Sequence, residues 1–141
     1  MIEKIENLRR IEETGIVAVV RAETPEQALK IAGAVKAGGI EAIEITMTVP
    51  GAVDVIRELA NTYKNKEILI GAGSVLDAET ARACILAGAE YIVSPALDRD
   101  TIVLCNSYQK VVMPGAMTVT EVHRAMQYGA DVVKVFPASL F

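Results

Sequence analysis

Two side chains of opposite charge stand inside runs that are otherwise apolar and β-branched. Lys134 lies in Val132-Val133-Lys134-Val135-Phe136-Pro137, and Glu44 lies in Ala42-Ile43-Glu44-Ile45-Thr46-Met47-Thr48. Side chains alternate between the two faces of a strand. Lys134 is therefore expected to share a face with Val132 and Phe136, and Glu44 with Thr46 and Thr48. An ammonium in apolar surroundings loses hydration, so the Lys134 pKa is expected to fall toward neutrality. A neutral amine can attack a ketone and form an imine. The alternative is a strand-end lysine whose head reaches water along its own stem. A carboxylate within a strand calls for a partner. Glu44 reads either as an acid/base group facing Lys134 or as its structural ion-pair partner, and buried pairs are weak sources of stability.

Further polar groups sit where apolar runs end. Arg21 follows Ile16-Val17-Ala18-Val19-Val20, and its guanidinium fork suits a carboxylate or phosphate; a solvated arginine is the alternative. Gly71-Ala72-Gly73-Ser74 follows the third run, where glycines would let backbone N–H groups approach an anion and Ser74 would add a hydroxyl. Ser94-Pro95 and Met113-Pro114-Gly115 end the fourth and fifth runs and read as turns that also shape a pocket wall. His123 is the only histidine and reads as a surface residue of a helix. Without a His and carboxylate cluster, no zinc site is expected. Cys84 and Cys105 have neither CxxC spacing nor a nearby histidine, so they read as reduced, buried thiols.

The elements that must position these groups alternate. Strands are expected at residues 16–20, 42–48, 68–70, 91–93, 111–113 and 131–136, with helices between them. Thr24-Pro25-Glu26-Gln27 predicts a helix start with a Thr cap, Pro at the first helical position and Gln closing a capping box. Asp77 opens a helix that ends at Gly88, and Thr118 with Glu121 opens one that ends at Gly129. An amphipathic helix over about residues 2–12 precedes the first strand. The segments 36–43, 86–92 and 127–133 echo one another: a helix ends at glycine and a strand begins about three residues later. This is a βα repeat of roughly 20–26 residues, the unit of a (β/α)8 TIM barrel. Six units are counted over one domain, residues 1–141. The expectation is an eight-stranded barrel whose last two units lie outside these residues; an open six-stranded α/β sheet is the alternative.

Composition narrows the classes of function. Across 141 residues the hydrophobic fraction is 52%, enough for a sizeable core, and the formal net charge is −4 without a basic run. Phosphate-backbone contacts need clustered Lys and Arg, so no nucleic-acid partner is expected. No apolar run reaches the roughly 18 residues of a membrane span. The N-terminus has no signal-peptide pattern, and a cytoplasmic location is expected.

Six ordered motifs carry a resemblance over residues 16–141. They are Ile16-Val17-Ala18-Val19-Val20-Arg21, Ile43-Glu44-Ile45-Thr46, Gly71-Ala72-Gly73-Ser74, Ile92-Val93-Ser94-Pro95, Met113-Pro114-Gly115 and Lys134-Val135-Phe136-Pro137-Ala138. With these the chain resembles the 2-keto-3-deoxy-6-phosphogluconate (KDPG) and 4-hydroxy-2-oxoglutarate (KHG) aldolases. The resemblance implies that Lys134 is the Schiff-base lysine and Glu44 the general acid/base. It implies that Arg21 and the Gly73-Ser74 turn hold anionic groups of the substrate, with Thr46 beside them, and that Pro95 and Phe136 line the pyruvyl pocket. It further implies a small 2-keto acid substrate, no cofactor or metal, and a homotrimer. Two positions depart from the pattern. Ser74 stands where Thr is frequent, and Thr48 stands where some members have Arg, which leaves carboxylate binding to Arg21. The family's Gly-rich phosphate loop belongs to the two units not found here. Other lysine-dependent or phosphate-binding βα barrels, and an inactive barrel fragment acting as an oligomer-forming module, are the rival readings.

Overall fold

The computed structural model describes residues 2–64 and 67–140. Phe141, the last residue of the resemblance, lies outside them. Helix α1 (Glu3–Thr14) leads into β1 (Ala18–Val20), followed by α2 (Pro25–Ala37), β2 (Ala42–Thr46), α3 (Ala52–Thr62), β3 (Leu69–Gly73), α4 (Ala78–Ala87), β4 (Tyr91–Val93), α5 (Arg99–Ser107), β5 (Val111–Met113), β6 (Gly115–Ala116), α6 (Val119–Tyr128) and β7 (Lys134–Val135). The first five strands pair in parallel in the order β1-β2-β3-β4-β5, and β6 pairs in parallel with β7. A doubly wound sheet reverses its strand order at a switch point. No reversal occurs here, and each strand adds beside the last, which is the barrel plan.

The two faces of the sheet are separately packed. Ile43, Ile45, Ile70, Ala72, Ile92 and Val112 join the core shared with α2 to α5, whereas Ala42, Leu69, Tyr91, Val93, Val111 and Met113 face the other way, against Leu8 and Ile11 of α1. α3 shows the helical side of this packing. Ala52, Val55, Ile56 and Leu59 recur at helical spacing and are all buried, and each large side chain buried this way contributes roughly 1.5–3 kcal/mol. At the opposite end of the inner face from the strand C-termini, α1 is held by polar contacts. Asn7 donates to Glu90 (2.8 Å), Lys110 pairs with Glu90 (2.8 Å), and Lys4 pairs with Asp131 (3.0 Å).

Several local expectations hold, and others need correction. The caps at Thr24, Asp77 and Thr118 each accept from the backbone N–H three residues on, and the full capping box forms at Thr118 and Glu121. At Thr24 the box does not close: Gln27 accepts instead from the Glu23 N–H (2.9 Å), one residue earlier. Met113-Pro114-Gly115 is not a turn. The strand continues beyond it as β6, interrupted at Pro114 because proline has no N–H for the ladder. The fifth predicted strand thus appears as β5 and β6. The sixth shrinks from residues 131–136 to two residues. Asp131 is the reason: its carboxylate accepts the Val112 N–H (2.9 Å), taking a bond a regular neighbouring strand would form through its backbone. Regular pairing resumes only at Gly115 with Lys134 and Ala116 with Val135. The glycine echo is also uneven, since Gly39 and not Gly38 takes the left-handed conformation after α2.

Candidate active site

In a βα barrel the C-terminal strand ends share one face of the molecule. Glu44 occupies the middle of β2, is 4% exposed, and lies in register with Val19 and Gly71. Its carboxylate does not stay level with Gly71. A Cβ on Gly73 would stand 1.7 Å from Glu44 Oε1 and 2.4 Å from its carboxyl carbon. The side chain therefore leans along the sheet by two residues toward the strand C-termini, into space that only glycine leaves open. The Gly71-Ala72-Gly73 segment was expected to offer N–H groups to an anion; at Gly73 its first role is to admit Glu44. The signal available in the sequence was the alternation that puts residues 44, 71 and 73 on one face.

Lys134 arrives on β7, where its N–H donates to the Pro114 carbonyl (2.9 Å). Its Nζ lies 4.7 Å from the centre of the Phe136 ring, so the shared face holds. Enclosure is less than expected. Lys134 is half-buried, and Val132 and Phe136 are 40% and 37% exposed. The cause is the place of β7, which among the described residues pairs on one side only. Arg21 is exposed and directly follows β1. Burial raises the Glu44 pKa above its ordinary value, and the positive charges of Lys134 and then Arg21 act against that rise. The charges of Lys134 on β7 and of Arg21 after β1 thus both act on the buried carboxyl of β2.

The other predicted residues are placed as follows. Thr46 is fully buried and donates to the Val20 carbonyl (3.3 Å), while its hydroxyl lies 2.6 Å from that of Thr48. It ties the end of β2 to β1. Thr48 is exposed beyond the strand and is not an interior residue. Ser74 adopts φ +56°, a left-handed conformation that costs a non-glycine residue about 1–2 kcal/mol, at the end of β3. Ser94 accepts from the Ala96 N–H (3.2 Å) and donates to the Ala96 carbonyl (2.7 Å), the turn chemistry expected of it. Pro95 is brought beside the lysine strand: a Cβ on Gly115, the register partner of Lys134, would lie 2.2 Å from the Pro95 carbonyl oxygen. His123 is exposed on α6, and both cysteines are buried and unpaired.

The family model for KDPG and KHG aldolase matches residues 6–141. This chain belongs to that family. A 2-dehydro-3-deoxy-6-phosphogalactonate aldolase of Escherichia coli is 36% identical over 89% of this chain and 61% of its own length. A 2-dehydro-3-deoxy-phosphogluconate aldolase of Treponema pallidum is 34% identical over 92% of this chain and 61% of its own. The structure of KDPG aldolase from Legionella pneumophila, with pyruvate captured as a covalent carbinolamine, superposes with a TM-score of 0.81 at 31% identity, over 88% of this chain and 59% of that one. The chain spans about three fifths of the length of these relatives. The likeness covers the sheet and helices described above, so the barrel plan read from strand order is that of the KDPG aldolases.

Proposed function

We propose that this chain carries the catalytic residues of a class I aldolase that cleaves a 2-keto-3-deoxy-6-phospho sugar acid or 4-hydroxy-2-oxoglutarate to pyruvate and an aldehyde. The observation that carries the reading is the buried Glu44 carboxylate leaning over Gly73 toward the strand C-termini, where the charge of Lys134 acts on it. Lys134, as free amine, attacks the C2 ketone, and loss of water leaves an iminium. Glu44, directly or through water, takes the proton of the C4 hydroxyl. The C3–C4 bond breaks, and its electron pair flows into the iminium to give an enamine. Protonation of the enamine at C3 and hydrolysis of the imine release pyruvate and restore the lysine. The aldehyde is glyceraldehyde 3-phosphate or glyoxylate. Arg21 and the Gly73-Ser74 turn hold the substrate's anionic and hydroxyl groups, the buried Thr46 ties the end of β2 to β1 beneath them, and Pro95 and Phe136 line the pyruvyl end. No cofactor or metal enters this scheme.

The assembly we propose is one eight-unit barrel domain, to which these residues contribute six units, working as a homotrimer in the cytoplasm. Support comes from the longer relatives and from a superposable chain, 37% identical, in a cage built by fusing symmetric oligomeric domains. Among the described residues no helix is long and apolar enough to cross a membrane.

Borohydride reduction in the presence of pyruvate tests the central step. A stable pyruvyl-derived mass is expected on the peptide containing Lys134 and is expected to vanish in Lys134→Ala. Labelling that persists in that variant would remove Lys134 from the mechanism.

A further inference from the structure

The inner face of β3 carries two glycines two residues apart, and each receives a side chain from a neighbouring strand. Gly73 receives the Glu44 carboxylate. Gly71 receives the ring of Tyr91: a Cβ there would stand 2.2–2.5 Å from three of the ring carbons, Cζ among them. Glu44, Gly71 and Tyr91 form one row across β2, β3 and β4. The carboxylate leans from that row toward the strand C-termini, so the phenol lies behind it, on the side away from the mouth. Positions two residues apart on a strand are separated by roughly 6–7 Å. The ring tip and the carboxylate stand over such a pair, a separation that suits one intervening water.

The Tyr91 hydroxyl is fully buried and has no hydrogen-bond partner among the described residues. A buried hydroxyl left in that state has lost its water without replacement, an unfavourable arrangement. Phenylalanine would fill the same ring site among Ala42, Leu69, Val93 and Val111 without that cost. The negative charge of Glu44 also acts on the phenol, a second sign of their proximity. Lys134 and Arg21 are the cations facing Glu44; Tyr91 is a neutral donor placed on its far side.

We propose that Tyr91 is a positioning residue for Glu44, its hydroxyl donating through one enclosed water to the carboxylate across the two side-chain-free positions of β3. The role rests on the aldolase reading above. A donor to the ionised form favours that form. Tyr91 thereby restrains the upward push of burial on the Glu44 pKa and fixes the carboxylate from behind, leaving its forward face to the substrate.

Tyr91→Phe in the intact protein tests this, because the ring and hence the packing are retained. Without the donor, the carboxyl should protonate more readily. The acidic limb of the kcat–pH profile is expected to move upward by roughly 0.5–1 in pH, with kcat reduced several-fold, KM nearly unchanged and pyruvate trapping on Lys134 intact. A 13C-carboxyl titration of Glu44 should show the same upward movement without reference to turnover. Superimposable profiles and titrations in the two proteins, or a downward movement, would overturn the proposal. If wild-type protein traps no pyruvate, the aldolase reading fails by itself, and the carboxyl titration still decides whether Tyr91 acts on Glu44.

Discussion

Glu44 shows how burying a single carboxyl can cost stability. Its folded pKa is raised, so the ionised form is disfavoured in the folded state. The sign follows from linkage: the group's stabilising contribution is full below its unfolded value and is lost as pH rises through the folded one. Glu44→Gln is therefore expected to be more stable than wild type near neutral pH. The advantage should shrink as pH falls through the raised folded value and be gone below the ordinary carboxylate value, and denaturant melts at pH 4 and pH 7 would measure it. Turnover in the same variant should fall by roughly 10²–10⁴, while imine trapping survives better, since attack by the lysine needs less help from the carboxyl. Near-wild-type turnover would leave Glu44 as no more than a buried carboxyl in the field of Lys134. Gly73→Ala puts a methyl on the Glu44 carboxylate position. It should lower turnover about as much as Glu44→Gln, at a stability cost of roughly 1–3 kcal/mol from overpacking. Full activity in Gly73→Ala would show that the carboxylate works from another position.

At the scale of elements, the short β7 depends on side chains outside it. Asp131 occupies the Val112 N–H and pairs with Lys4, and so links β5, α1 and the segment that leads to Lys134. Asp131→Ala leaves the buried Val112 N–H without its acceptor and Lys4 with Asn106 but without its ion-pair partner. A loss of roughly 2–4 kcal/mol is expected, with faster amide exchange at Val112 and Lys134; unchanged exchange there would show that β7 holds its place without this carboxylate. Local rules served well wherever one residue type answers one local need. The caps at Asp77 and Thr118 and the left-handed glycines 88 and 129 are of this kind. Those rules did not serve at Asp131, where a side chain from one segment replaces a backbone acceptor for another. No periodicity in a single segment records such an exchange.

For the whole molecule, both sheet edges carry exposed apolar side chains, as do the outer helices at Leu86, Val119 and Met126. Ile16 and Val19 beside β1 are 58% and 44% exposed, and Val135 on β7 is 52% exposed, with Val132 and Phe136 nearby. Unpaired strand edges are templates for pairing with another chain, and apolar patches of this kind favour association. A product of these 141 residues alone is expected to sediment as oligomers or aggregates and to release little pyruvate. Val19→Lys with Val135→Lys should move it toward monomer. A monodisperse, active wild-type monomer would mean that six units suffice. The sequence by itself determined the βα alternation, the barrel class, the strand positions of Lys134 and Glu44, and through its ordered motifs the family, because period, capping and motif spacing are local properties of a chain. The tertiary structure alone decided that Gly73 makes room for Glu44, that Tyr91 stands behind it, that Gly115 makes room for Pro95 and that Lys134 is only half enclosed. Each of those depends on which strand lies beside which and on what covers the edge, and neighbours across a sheet are set by packing over long separations in sequence.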